Sequence, residues 1–387
     1  MKTLIVLLFA ASPALLGGGA IASALPLISE AFPDVPETLV SLLITLPPLA
    51  TALSGFFIGA VSDRFGRIKT LVASIIVFGL CGGIGFFLDD FYAILFFRFW
   101  CGVGIAGIMP VVITILTEYF SGPTLARYLG YNAAAMGAGG TVLGICCGFL
   151  AGISWNAVFL VYFAVLLVIP FILFALKEPE HLERKAADSK PAVSKGKAAG
   201  VIIFVYLSMI ICQMLLYSMT TKTPYLLAEM GGISTAMIGF LVALVGIFTA
   251  ISGAFYGRVL GRLSYTVQIG LMILLEAAGL LLIATCLNLV VIGIGIALLG
   301  LGIGIGAPVG ARWIAEVTSP RIRGRVMGGM SAATYGGQFC ATAITALVLL
   351  FVPDYSGMYL VIGLGALALA LGIFVFSFAV KHRKPAA

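Results

Sequence analysis

Charged residues are scarce in this sequence. Only 10% of its 387 residues are Asp, Glu, Lys or Arg, whereas 61% are hydrophobic. A soluble domain carries about 25% charged residues, so this composition cannot supply a water-facing surface. The scarcity excludes an ordinary soluble globular protein.

Patterns typical of metal sites and catalytic centres are missing as well. The two histidines, His181 and His382, lie in charged stretches, and the seven cysteines form no CxxC pair and no cluster with histidine. The sequence also shows no nucleophile–base pair and no phosphate-binding loop. We therefore expect no metal, no cofactor, no disulfide framework and no enzymatic activity.

Long apolar runs dominate instead. Runs of roughly 20 residues cross a hydrocarbon core of about 30 Å as helices, and these runs are too uniformly apolar for barrel strands. Twelve segments are predicted, at 3–25, 38–60, 70–88, 91–117, 129–151, 156–176, 199–222, 233–256, 266–286, 288–314, 326–350 and 356–380. The first imitates a signal peptide, but it has a counterpart in the second half of the chain and is interpreted as segment 1.

The charges divide the connecting loops into two sides. The basic side carries Lys2, Arg64, Arg67, Lys69, Arg127, the lysines and arginines of 177–198, Arg258, Arg262, Arg321, Arg323, Arg325, Lys381, Arg383 and Lys384. The acidic side carries Glu30, Asp34, Glu37, Asp89, Asp90, Glu229 and Asp354. The positive-inside rule places the basic side, with both termini, in the cytoplasm. Topology therefore explains the net charge of +7 without a nucleic-acid partner.

A hydrophilic stretch at 177–198 divides the segments six and six, and it has the composition of a flexible cytoplasmic linker. We predict an N-terminal bundle at 1–176 and a C-terminal bundle at 199–387. The halves correspond at a shift of 198 residues: GVGIAGIMPVVITILTEYF reappears as GLGIGIGAPVGARWIAEVT. Two such halves in one orientation are typical of secondary transporters that bind cargo between the halves.

The turn between segments 2 and 3 reads GAVSDRFGRIK. It resembles the loop signature of the major facilitator superfamily, G-x-x-x-D-R-x-G-R-x-K, and the resemblance extends over nearly the whole chain. The resemblance implies the all-α, 12-helix membrane fold of two pseudo-symmetric six-helix bundles. It also implies a latch that joins the halves on the cytoplasmic side, at Gly59, Asp63, Arg64, Gly66, Arg67 and Glu118. Alternatively, the bases only set the topology; the second copy, GAFYGRVLGR, has Gly257 in place of the acid.

A second motif, RFWCG at 98–102, resembles the R-x-x-x-G element that the family's drug:proton antiporters carry. Arg98 would lie about 11 Å inside the bilayer, where a charge normally faces a bundle interior or an aqueous cavity. The resemblance implies a role in proton coupling; snorkelling or bonding to carbonyls is the alternative. The antiporter motif expected on segment 5 is incomplete, because Gly144 and Cys147 replace its proline and a glycine.

Other ionisable groups within the segments are few. Glu276 lies midway along segment 9 and could carry a proton, although a structural acid is the favoured interpretation. Arg312 and Glu316 stand one helical turn apart, as in a local ion pair. Lys222 is placed at the outer end of segment 7, where it could snorkel; a role in attracting cargo is a minority interpretation.

Polar residues that share a face of segment 7, with fewer on segments 5 and 11, are candidates for cargo binding or for bonds between helices. They are Tyr206, Gln213, Tyr217, Thr220, Asn132, Tyr335 and Gln338.

The first functional hypothesis is a monomeric secondary transporter in the plasma membrane, the inner membrane of a bacterium, that works by alternating access. Its cargo would be small amphipathic compounds, exported by proton antiport. The alternative is uptake or exchange of a neutral or anionic metabolite, because segments 1, 4, 5 and 7 offer no intramembrane acid for a cationic drug. A receptor or scaffold of the same fold is a third hypothesis.

Overall fold

The computed structural model describes residues 21–119, 122–176, 195–259 and 263–382. Every regular element in these ranges is a helix. Ten of the helices found there are long and apolar enough to cross a membrane. The all-helical membrane fold is therefore confirmed. Segment 1 lies mainly outside the described residues.

The helices of the first half are α1 (Leu25–Ala31), α2 (Glu37–Phe65), α3 (Arg67–Gly83), α4 (Phe91–Tyr119), α5 (Gly122–Ala151) and α6 (Leu160–Leu166, continued after Leu167 by Val168–Ala175). Those of the second half are α7 (Lys195–Glu229), α8 (Thr235–Val259), α9 (Tyr265–Thr285), α10 (Leu289–Val317), α11 (Pro320–Leu349) and α12 (Tyr355–His382). The predicted linker extends to 198, but α7 already begins at Lys195, and the part of the linker at 177–194 lies outside the described residues.

Two separate hydrophobic clusters form the interior. One consists of residues between Ile21 and Leu176, joined by Tyr225 of α7, and the other of residues between Val205 and Ile373. The described residues thus pack around two cores, and the division into bundles at 1–176 and 199–387 stays a prediction.

Equivalent contacts in the two halves reproduce the 198-residue shift. Thr51 Oγ1 donates to the Gly102 carbonyl over 2.8 Å, and Thr249 Oγ1 donates to the Gly300 carbonyl over 3.1 Å. These bonds join α2 to α4 and α8 to α10. The repeated glycines are needed because both helix pairs approach so closely that a Cβ at either glycine would collide with the opposing backbone.

The halves touch near the acidic side. Between α2 and α11, Thr45 Oγ1 lies 2.7 Å from Thr342 Oγ1. Between α5 and α8, a Cβ built on Gly239 would lie 2.8 Å from the Cα of Gly148. Nearer the basic side, a Cβ built on Gly59 of α2 would meet no atom within 4 Å. The described conformation is closed at the acidic side.

Candidate functional site

Arg98 is 1% exposed and lies inside the first half. Its Nε donates to the carbonyl of Leu43 over 2.7 Å, and its guanidinium lies 5.2 Å from the centroid of the Tyr162 ring. In a regular helix the Leu43 carbonyl would accept from the N–H of residue 47, but Pro47 has none. Arg98 therefore supplies the hydrogen bond that the proline removes, and it ties α2, α4 and α6 together.

This geometry supports the interpretation in which Arg98 bonds to carbonyls, and it also retains a buried positive charge beside the interface between the halves. Tyr217 of α7 packs against the core of the first half and lies close enough to Arg98 for an electrostatic interaction. The role in proton coupling stays a prediction.

The polar residues predicted to bind cargo separate into distinct groups. Gln213 of α7 and Gln338 of α11 meet, because Gln338 Nε2 donates to Gln213 Oε1 over 3.1 Å. Tyr206 donates to the carbonyl of Val326 over 2.5 Å, so its hydroxyl is used within the second half. Thr220 bonds to its own helix at Leu216. Gln213, Gln338 and Tyr206 thus form the bonds between helices that were the alternative to cargo binding, whereas Thr220 bonds only within α7.

The three other residues predicted to bind cargo differ in how deeply they are buried. Tyr217 and Tyr335 are half-buried, on α7 and α11 respectively. Asn132 is 3% exposed and lies on α5, in the opposite half. Cargo contact by these three residues stays a prediction.

Glu276 of α9 is fully buried inside the second half. Its Oε1 accepts a hydrogen bond from Cys212 Sγ of α7 over 2.9 Å, while Oε2 has no hydrogen-bond partner among the described residues. At the 198-residue shift, the residue of the first half that is equivalent to Glu276 is Phe78, which is also fully buried. Because the repeat accepts an apolar side chain there, the fold alone does not require an acid.

The predicted latch is described only in part. Gly66 has φ +104°, a conformation that favours glycine, at the end of α2. Arg67 Nη1 donates to Ser62 Oγ over 3.2 Å, and the exposed Arg64 lies over the Phe65 ring. The side chains of Asp63 and Glu118 lie outside the described residues, so the latch stays a prediction.

In the second half, Glu316 accepts a hydrogen bond from Tyr265 and pairs with Arg312 over 3.7 Å. The local ion pair expected between Arg312 and Glu316 is therefore confirmed. Both side chains are about half exposed, so this pair contributes little to stability.

The structure corrects the placement of Lys222. Its side chain is 2% exposed, and its Nζ lies 2.5 Å from Glu37 Oε1 of the first half. The interpretation as a snorkelling residue is wrong because α7 continues through Pro224 to Glu229, which leaves Lys222 almost two turns from the helix end. Sequence reasoning missed this ion pair because its partners are 185 residues apart.

More contacts surround the pair at the acidic side. The Tyr355 hydroxyl donates to Glu37 Oε2 over 2.6 Å, and the Ser29 and Tyr225 hydroxyls lie 2.8 Å apart. The halves are therefore joined by a charged, hydrogen-bonded cluster where α1 and α2 meet α7 and α12.

Comparisons with known proteins place these features in context. The family model described as Major Facilitator Superfamily matches residues 7–231 and 203–387. The chain is 28% identical over 193 residues to the 3-(3-hydroxy-phenyl)propionate transporter of Escherichia coli (strain K12), covering 48% of this chain and 47% of that protein. It is 30% identical over 175 residues to the multidrug efflux protein YfmO of Bacillus subtilis (strain 168), covering 44% of each.

A third relative is the 4-hydroxybenzoate transporter PcaK of Acinetobacter baylyi (strain ATCC 33305 / BD413 / ADP1), 33% identical over 150 residues, or 34% of this chain and 30% of that protein. The chain spans less than half the length of each of these curated relatives.

Among solved structures, a bacterial homolog of the human lysosomal transporter Spinster, inward-facing and occupied, has a TM-score of 0.74 at 17% identity, covering 99% of this chain and 98% of that one. The human organic anion transporter MFSD10 (TETRAN) has a TM-score of 0.72 at 16% identity, covering 96% and 98%. These likenesses show the fold.

Proposed function

The chain belongs to the major facilitator superfamily, and on that premise we propose that it carries small organic anions, aromatic carboxylates in particular, across the membrane by alternating access. It is a multi-pass secondary transporter and not an enzyme, as its family and relatives are transporters. The cargo, the proton coupling, the monomeric state and the location in a bacterial inner membrane are parts of the proposal.

The sign of the buried charges is the observation that carries the proposal. Among the described residues, the buried charged side chains are Arg98, Lys222 and Glu276. Arg98 lies beside the interface between the halves, and Lys222 forms an ion pair across it. Glu276 lies inside the second half. Glu37 neutralises Lys222 in the described conformation, so a cavity between these halves suits an anion through Arg98, and through Lys222 once that pair separates, because buried charge favours a counter-ion of opposite sign.

The names of the relatives support this choice of cargo. They include transporters of 3-(3-hydroxy-phenyl)propionate, 4-hydroxybenzoate, benzoate and niacin, each of which joins an aromatic ring to a carboxylate. Tyrosines at the interface, Tyr217 and Tyr225 among them, offer ring faces to such a cargo.

Proton coupling is proposed at Glu276 and Arg98. A carboxyl enclosed by apolar helices can exchange a proton as the surrounding helices move, and Cys212 links Glu276 to α7, which also carries Lys222. In this proposal, Asp63, Arg67 and Glu118 close the basic side when the acidic side opens.

Proton-coupled efflux of amphipathic compounds is the second candidate. The RFWCG motif of α4 and the similarity to the multidrug efflux protein of Bacillus subtilis favour it. Glu37, an acid at the interface, is already paired with Lys222, which speaks against a cationic cargo.

Transport by the purified protein in liposomes tests the two candidates. Labelled benzoate, 4-hydroxybenzoate and nicotinate are added under an imposed pH gradient, with benzamide, 4-hydroxybenzamide and nicotinamide as uncharged controls. Protein-free liposomes correct for diffusion of the protonated acids. Accumulation of an acid but not of its amide supports the proposal. Movement of cationic amphiphiles alone refutes it and favours efflux.

A further inference from the structure

Glu37 of the first half is held by two groups of the second half. Lys222 Nζ lies 2.5 Å from one carboxylate oxygen, and the Tyr355 hydroxyl donates to the other over 2.6 Å. Both carboxylate oxygens are therefore engaged by donors that belong to the opposite bundle. Charge-assisted bonds of this kind are the strong ones in proteins.

The surroundings of Lys222 make a counter-ion necessary. The residue is 1% exposed, its Nζ lies 3.3 Å from Ser41 Oγ, and it lies 5.4 Å from the centroid of the Tyr225 ring. Tyr225 in turn stacks on Tyr355, with centroids 6.2 Å apart and planes at 23°. A buried ammonium that loses its carboxylate partner pays a desolvation cost of several kcal/mol.

Opening of the acidic side would move the groups of the first half away from those of the second half. Glu37 and Ser41 move with α2, whereas Lys222 and Tyr225 stay together on α7, next to Tyr355 of α12. The second half then presents an ammonium, a hydroxyl and a tyrosine ring that Glu37 no longer engages.

We propose that, while the acidic side is closed, the Glu37 carboxylate occupies the position that the cargo's carboxylate takes when this side is open. When the acidic side opens, Lys222 and Tyr355 bind the carboxylate of an aromatic acid in place of Glu37, and Tyr225 packs against its ring. Re-formation of the Glu37 contacts displaces the cargo and closes the acidic side. This inference rests on the proposed function, since it requires an anionic cargo.

The space beside the cluster is large enough for such a molecule. A cavity of about 480 Å³ is lined by Glu37, Tyr225 and Tyr355, together with Glu30 and Glu229. A cavity of about 150 Å³ already holds benzene. Because Glu37 occupies Lys222 in the described conformation, the cargo's carboxylate binds only after Glu37 has released that ammonium.

The variant Glu37→Gln tests the inference, because it keeps the size of the side chain and removes its charge. Binding of benzoate and benzamide to the purified full-length protein is measured by calorimetry, for wild type and variant. We expect the affinity for benzoate to rise about fivefold or more, the range of a coupling of 1–3 kcal/mol, while that for benzamide is unchanged. Glu316→Gln, which removes an acid from the exposed pair with Arg312, is the matched control and leaves both affinities unchanged.

Lys222→Gln should remove the preference for benzoate over benzamide. If that variant does not fold, Tyr355→Phe replaces it and should weaken benzoate binding alone. An equal rise for benzoate and benzamide in Glu37→Gln shows that Glu37 is only a gate and overturns the inference. A benzoate affinity of Glu37→Gln that is equal to or lower than that of wild type also overturns the inference. The proposed function still stands in that case if liposomes that contain the wild-type protein accumulate benzoate. If wild type carries no carboxylate at all, the proposed function and this inference both fail.

Discussion

Replacement of Gly102 by alanine tests how closely α2 and α4 approach. A Cβ at this position would lie 2.2 Å from the carbonyl oxygen of Pro47 and 2.7 Å from its Cα. Real Cβ atoms do not come this close to other atoms, and backbone atoms cannot move aside unless the whole of α2 shifts. The substitution therefore forces the two helices apart.

Three contributions set the size of the effect. Overpacking of a tight contact costs about 1–3 kcal/mol. The shift of α2 weakens the hydrogen bond from Thr51 to the Gly102 carbonyl, worth about 1 kcal/mol. The gain in helix propensity from glycine to alanine, about 1 kcal/mol, offsets that second loss. We expect Gly102→Ala to lower the free energy of unfolding by about 1–3 kcal/mol.

Titration of the purified protein with SDS in mixed micelles measures this free energy. Gly365→Ala on α12 is the control, because its Cβ would meet no atom within 4 Å, and it should be neutral or stabilise by up to about 1 kcal/mol. Gly300→Ala, whose Cβ would lie 2.7 Å from the Val245 carbonyl oxygen, should destabilise like Gly102→Ala. A Gly102→Ala protein as stable as wild type, alongside a control that behaves as expected, would refute the reasoning.

Three further predictions follow from single contacts. Arg98→Ala should lower the free energy of unfolding by about 1–3 kcal/mol less in a Pro47→Ala background than in wild type, because the backbone N–H that Pro47→Ala introduces then bonds to the Leu43 carbonyl in place of Arg98. Additive effects of the two substitutions in SDS titration would contradict this. The Glu276→Gln protein should fold normally and still exchange labelled for unlabelled carboxylate in liposomes, but it should no longer accumulate carboxylate against its gradient. Unchanged accumulation would show that Glu276 has only a structural role. Gly239→Ala should loosen the contact between α5 and α8 and speed alkylation of the buried Cys147 by a maleimide at least several-fold; an unchanged rate would contradict the close approach.

Local sequence patterns predicted the features that depend on nearby residues. The apolar runs predicted membrane helices because a segment in lipid must satisfy its own backbone hydrogen bonds. The one-turn spacing of Arg312 and Glu316 predicted their ion pair. The 198-residue shift matched Gly102 to Gly300, and the structure places both glycines at equivalent close helix contacts.

The roles of individual polar residues depended on partners far away in the chain. Nothing near Arg98 in the sequence indicates that Pro47 leaves a carbonyl for it to bond. Tyr206 was a candidate for cargo binding, but its hydroxyl bonds to the backbone of α11. A polar stripe on one helix predicts that partners exist, and it does not say whether they are cargo, water or another helix.

Hydrophobicity determined, from the sequence alone, that this protein has an all-helical membrane fold, and charge placement and the internal repeat predicted its orientation and its two related halves. Only the tertiary structure decided which ionisable groups meet between the halves, above all Glu37 with Lys222 and Tyr355. The physical reason lies in distance along the chain. Insertion into lipid is decided segment by segment, whereas a buried ion pair between α2 and α7 forms only when two bundles close on each other.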